Sequence, residues 1–172
     1  TRKGESAGSK SSLERLHLAS EDAASHFHSG YRMSEKEHLL IKMKAISRWL
    51  HNNDDWLVRA HVGGKPPRWK ILDGKEQLAM WHPQDGRFAF AKGTLNLLAE
   101  SQTLSEVHLN DGPKLEGDIF SPMINQVVGD VRIGDEILLF RARKLIGSAR
   151  SIASKWEYFG SPGMVAKTKH RL

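Results

Sequence analysis

The 172-residue chain contains no cysteine. That excludes a disulfide framework and cysteine-ligated zinc, and it fits a reducing compartment such as the cytoplasm. Long hydrophobic runs are missing too. No apolar stretch approaches the roughly 20 residues that cross a bilayer, so no membrane partner is expected. No basic-then-apolar leader pattern stands at the start. Also absent are a phosphate-binding P-loop and a G-x-S-x-G nucleophile elbow. Glycines 129, 134 and 147 are spaced for strand turns and do not open a helix, so no nucleotide cofactor is expected. The acids Asp54-Asp55 and Asp130…Asp135-Glu136 sit among turn formers, where turn formation is a plainer role than catalysis. No catalytic constellation emerges, and the chain reads as non-catalytic.

Charge is what the chain has in excess. Lys and Arg total 26 against 20 acids, for a formal charge of +6. Between residues 141 and 172 stand eight cations (Arg141, Arg143, Lys144, Arg150, Lys155, Lys167, Lys169 and Arg171) against one acid, Glu157. The remainder is close to neutral, so the positive field is expected to be localised at the C-terminal end. A small unit carrying such a field suggests a polyanion as partner.

The hydrophobic pattern predicts an α+β chain. Thr1 to Ser12 is rich in Ser, Gly, Lys and Glu and reads as part of a mobile tail over residues 1–25. Ser12 reads as the cap of a helix through Ala19. His26-Phe27-His28 admits a metal pair, but no acid or cysteine sits at ligand spacing, so a surface turn is the plainer reading. Ser34 to Leu50 is predicted as an amphipathic helix, with Ser34 and Glu37 as a capping box and Leu39, Met43, Ile46 and Leu50 on its core face. A solvated role is preferred over a binding role for Lys42, Lys44 and Arg48. His51 to Asp55 ends the helix. Trp56–Val62 alternates as a strand and Gly63-Gly64 breaks it. A meander follows through Trp69–Leu72, the Asp73-Gly74 turn, Gln77–Trp81, the turn ending at Gly86, and Arg87–Phe90. Thr94 is expected to cap a short helix to Ser101.

A second unit is placed at residues 104–172, after a first at 26–103, with the junction near 101–104. Ser105–Leu109 starts it as a strand. Gly117 to Met123 is short, because Pro122 bars a long regular element. Glycine turns at Gly129 and Gly134 lead into the strand Glu136–Phe140. Arg141–Lys144 reads as an exposed connection, and Leu145–Ala149 resumes the apolar pattern. Gly147 within that run suggests a bulge or a close backbone approach. Ser161-Pro162-Gly163 turns the chain into the last strand, Met164–Lys169. Of the Trp residues at 49, 56, 69, 81 and 156, most should be core, while Trp156 in the basic part has the chemistry to stack on a base.

The order R-I-G-D-E-I-L-L (132–139), L-I-G-S-A-R (145–150) and G-M-V-A-K-T-K-H (163–170) resembles a PUA domain, and Gly117–Pro122 resembles the segment that opens one. The resemblance implies a compact β pseudobarrel that binds structured RNA. Its RNA face is formed by the opening segment and the last strand, which carries over here to Gly117, Ile119, Phe120, Gly147, Arg150, Lys167, Lys169 and Arg171. Read by themselves, Ile119 and Phe120 suit a core, Lys167 and Lys169 suit solvent or RNA equally, and Arg141, Arg143 and Lys144 suit solvent. The segment before it, with Leu78-Ala79, Pro83, Asp85-Gly86 and Phe88, resembles the domain preceding PUA in archaeal archaeosine tRNA-guanine transglycosylase and archaeosine synthase. It departs from them at Ala91 or Lys92 and at His51-Asn52-Asn53. The matched part is that family's RNA-handling end; the catalytic barrel, typically about 250 residues, does not fit in this chain. The implied role is a non-catalytic, tRNA-binding accessory to a separate catalytic transglycosylase chain. Two other roles stay open: a stand-alone PUA protein acting on ribosomes or in translation initiation, and a protein–protein adaptor.

Overall fold

A computed structural model describes residues 34–101, 105–160 and 162–172. The expected tail, the helix from Ser12, the His26–His28 pair, most of the junction and Ser161 lie outside the described residues.

Helix α1 (Glu35–His51) buries Met43, Ser47 and His51 on one face, as its 3.6-residue periodicity predicts. It ends at Asn52, whose φ of 52° is the left-handed conformation that stops a helix. His51 packs edge-on against Phe90, ring centroids 5.2 Å apart, and its burial pushes the imidazole pKa down to about 4.

Next comes a departure from the sequence pattern. Asp55–Leu57 is a 3-10 turn, and strand β1 begins only at His61 and runs through both glycines to Lys65. The reason lies in polar anchoring. The Asn53 side chain accepts from the Asp55 N–H at 2.6 Å, and the Trp56 indole donates to Ser47 Oγ at 2.7 Å. Trp56 and Leu57 are both buried in the same core, whereas successive side chains of a strand point to opposite faces. Strands β2 (Arg68–Asp73), β3 (Glu76–His82) and β4 (Arg87–Phe90) complete an antiparallel meander in sequence order. Its inner face carries Trp69 opposite Trp81 and Trp81 opposite Phe88. Trp81 and Phe88 rings lie 4.9 Å apart, and Trp56 stands edge-on to Phe88 at 5.2 Å. Such pairs add about 0.5–1.5 kcal/mol each beyond their area. Helix α2 (Thr94–Glu100) closes this core with Leu95 and Leu98. Thr94 is not its cap: it is the first helical residue, and its buried hydroxyl donates to Leu78 O at 2.6 Å.

The second sheet has six strands in the order β6-β10-β9-β8-β5-β7. These are β5 (Glu106–Leu109), β6 (Ile119–Phe120), β7 (Ile124–Val128), β8 (Glu136–Arg141), β9 (Lys144–Ser151) and β10 (Met164–Arg171). The two end strands, β6 and β7, are joined through the short turn Ser121–Met123, so the sheet curls into a pseudobarrel. Strand β7 is legible only afterwards, since Asn125 and Gln126 interrupt its apolar pattern. Strand β5 pairs parallel with β8 and antiparallel with β7. The β8–β9 connection is tighter than expected, with Ala142 and Arg143 both at positive φ, 47° and 63°. Ile119, Ile137, Leu139, Ala149 and Tyr158 fill the interior.

The outer face of β8 and β9 meets the first sheet. Leu138 is part of the first core, with Phe140 and Leu145 packed beside it. The exposed edge of β4 is satisfied there: Phe90 N–H donates to Glu136 Oε2 at 3.2 Å, and His170 Nε2 donates to Phe90 O at 2.8 Å. An edge strand is thus covered by side chains of its neighbour. Glu136, which the sequence places both among turn acids and at the start of a strand, is the first residue of β8, with its side chain 2% exposed.

Candidate nucleic-acid interface

Strand β10 gathers the residues that the sequence singles out. Lys167 pairs with Arg150, and Arg171 with Gly147. Met164 pairs with Phe120. Thr168 Oγ1 donates to Gly117 O at 2.7 Å, and Thr168 N–H donates to Asp118 Oδ1 at 2.9 Å. Ile119 pairs with Ala166, so all eight candidates lie on β10 or on a segment bonded to it.

Their roles divide. Lys169 Nζ donates to the buried Glu136 carboxylate at 3.0 Å, so this ammonium belongs to the seam between the sheets. Arg171 donates to Glu116 O. Arg141, expected in solvent, donates to Asn110 O at 3.1 Å and to Pro113 O. Arg141 and Arg171 thus hold the 110–117 segment by its backbone. Gly147 is a packing residue: a Cβ there would stand 2.1 Å from the His170 carbonyl oxygen, which is the close approach its sequence context suggests. Ile119 is core, at 0% exposure, whereas Phe120 is 47% exposed.

The remaining C-terminal cations form two groups. Arg143 and Lys144 sit at the β8–β9 turn. Arg150 and Lys167, side by side across β9 and β10, lie about 20 Å away along β9 at ~3.3 Å per residue. Lys155 follows on the short 3-10 turn Lys155–Tyr158. The positive field is therefore not a single patch, because three of the eight cations hold carbonyls or a carboxylate.

The connection from β9 to β10, between Arg150 and Lys167 in the chain, presents aromatic surface. Trp156 is 83% exposed and Phe159 59%. The turn that carries them is anchored on every side. Tyr158 is fully buried, its hydroxyl 2.7 Å from Ser151 Oγ, and burial raises its pKa to about 12. Ser121 Oγ donates to Tyr158 O at 2.8 Å, and Lys155 N–H donates to Val131 O at 3.0 Å. Ser154 donates from both N–H and Oγ to Glu157 Oε2, at 2.6 and 2.8 Å, which holds the Glu157 carboxyl below its ordinary range. The Ser121 bond also ties this turn to Phe120. Exposed rings on a pinned turn, flanked by cations without ion-pair partners among the described residues, have the chemistry to stack bases and neutralise phosphates.

Among the described residues, no group of three His, Asp or Glu side chains is placed to hold a metal. The groove between α1 and the 130–135 loop is lined by Trp49, Asp130, Arg132 and Asp135. Its acids are occupied: Arg132 Nη2 donates to Asp130 at 3.1 Å and Arg132 N–H to Asp135 at 2.9 Å. The Arg132 guanidinium also lies 5.6 Å over the Trp49 ring. No helix among the described residues is long and apolar enough to cross a membrane.

No protein-family model matches the chain, and no curated protein does. Solved structures do. AF0587, a protein of unknown function, is 20% identical over 76% of this chain with a TM-score of 0.61; this chain spans 46% of it. A hypothetical protein from the archaeon Pyrococcus horikoshii is 12% identical, TM-score 0.56, covering 77% of this chain and 89% of its own. A PUA domain from Aeropyrum pernix, crystallised with tartrate, is 13% identical, TM-score 0.54, covering 82% of this chain and 84% of its own. At these identities the likeness is one of fold. The fold is α+β, a small antiparallel sheet with helices followed by a PUA-like pseudobarrel.

Proposed function

We propose that this chain binds structured RNA at the β9–β10 end of the pseudobarrel, with Arg150 and Lys167 on phosphates and Trp156 and Phe159 on unpaired bases. The observation that carries this reading is Trp156, almost wholly exposed on a turn held by five hydrogen bonds. Ordering a large apolar ring in water gains nothing for folding, whereas base–aromatic stacking contributes about 1–3 kcal/mol per base. The PUA-like fold supports the same reading. We propose further that the RNA is tRNA and that the chain, its two units divided at residue 103, serves in the cytoplasm as an accessory to a separate tRNA-modifying enzyme of the archaeosine type. The resemblance of residues 78–88 supports that narrower role.

Filter binding to a tRNA transcript tests the site. Trp156→Ala should weaken binding about tenfold, the equivalent of roughly one stacked base, with the melting midpoint unchanged. The Arg150→Glu/Lys167→Glu double variant should weaken binding and flatten its dependence on salt. Reversing Lys169 or Arg171 is not a clean test, because both hold the fold. Wild-type affinity in both variants would remove this face from the account.

A further inference from the structure

The near-neutral charge of residues 1–140 conceals a segregated face. The four-stranded sheet buries one side against α1 and α2 and turns the other outward. On that outer side, Lys65 pairs with Arg68 across β1 and β2, and His82 pairs with Arg87 across β3 and β4. Trp69 pairs with Trp81, so Arg68 stands opposite His82. One cross-strand row thus reads Lys65, Arg68, His82, Arg87, spanning about 15 Å at ~4.8 Å per strand. The next row reads Gly63, Lys70, Met80, Ala89, with Lys70 about 7 Å from Arg68 along β2.

Lys65, Arg68 and Lys70 are exposed, and among the described residues none of them has an ion-pair partner. Asp73, at the far end of β2, is held by Arg59 at 3.3 Å. Asp85 lies at the rim, in the turn beyond His82. Arg87 leans to the second sheet, donating to Ile133 O at 2.9 Å. Gly63 and Ala89 keep the face low, and its larger apolar side chains, Leu72 and Met80, are half-buried between the strands, so the cations stand above a flat floor with no protruding apolar anchor. A protein partner would need an apolar anchor at the centre; a helical phosphate backbone needs only spaced cations on a flat, wide surface.

We infer that this face is a second RNA contact, taking the phosphate backbone of a double-helical segment. The inference rests on the RNA-binding reading above and extends it: the first sheet holds a helical arm while the Trp156 end takes unpaired bases.

Three probes test it with the full chain: a short RNA duplex, a single-stranded oligonucleotide of one strand, and a tRNA transcript. The Lys65→Glu/Arg68→Glu/Lys70→Glu variant should lose at least about tenfold in duplex affinity, with the log–log salt slope reduced by about two to three. The oligonucleotide affinity should hold within about twofold. A Gln triple variant at the same positions should show the same order of effects more weakly, which guards against a folding artefact of charge reversal. Duplex affinity and slope unchanged in both variants would overturn the inference, as would wild-type protein that binds the oligonucleotide but not the duplex; either leaves the Trp156 site standing. Wild-type protein that binds none of the probes would overturn both.

Discussion

Lys169→Met is expected to destabilise the protein by about 3–5 kcal/mol, while its partner variant Glu136→Gln costs much less. Glu136 is almost wholly buried and accepts from Phe90 N–H at 3.2 Å, Ser148 Oγ at 3.1 Å and Lys169 Nζ at 3.0 Å. Removing the ammonium leaves a buried carboxylate with two neutral donors and no counter-charge, and such breaks typically cost about 3–5 kcal/mol. Glu136→Gln removes the charge but keeps an acceptor for Phe90, and Lys169, 25% exposed, has a long stem that carries its ammonium to water. About 1.5 kcal/mol is expected there, the lower end of what a hydrogen bond to a charged group contributes. The double variant should be more stable than Lys169→Met alone. Urea midpoints measure all three, and additive losses would contradict the buried pair. Below its lowered midpoint, folded Lys169→Met should bind RNA as the wild type does.

Gly147→Ala is expected to cost at least about 3 kcal/mol, near the top of what overpacking does. The added methyl would stand 2.1 Å from His170 O and 3.1 Å from its carbonyl carbon. These are backbone atoms of the paired strand and cannot rotate away. Relief requires β10 to separate from β9, which would also disturb the Arg150–Lys167 pair and the His170 bond to Phe90. Gly117→Ala makes the contrast, since nothing lies within 4 Å of its would-be Cβ; it should unfold within about 0.5 kcal/mol of the wild type. Equal midpoints for the two glycine variants would refute the close approach.

The pseudobarrel was largely legible because its strands carry local signals. Gly129 and Gly134 adopt positive φ, 88° and 86°, as turn glycines do, and Glu136–Phe140 and Met164–Lys169 have strand composition. What stayed hidden is long-range. The Ala142-Arg143 turn uses two non-glycine residues at positive φ, which composition does not announce. Trp56–Val62 alternates like a strand, yet Asn53 and Ser47 hold its first half in a turn. A charge count sees eight C-terminal cations alike, but Glu136, Glu116 O, Asn110 O and Pro113 O engage three of them. The same count reads the first unit as neutral, because acids at its turns cancel the row on its sheet. The alternation of Arg68 and Lys70 around the buried Trp69 is the signal that exposes that row. Of the site, Trp156 stands out in the sequence by its basic surroundings; Phe159 does not, since its exposure depends on Tyr158 taking the interior place.

Ultraviolet crosslinking of the protein to bound tRNA, with the attached peptides sequenced, tests the central claim most directly. RNA should be found attached within residues 150–160, at Trp156 or Phe159, and the yield there should fall as salt is raised. A complex whose attachments lie only at the β8–β9 turn around Arg143 and Lys144, with residues 150–160 unmarked, would contradict it.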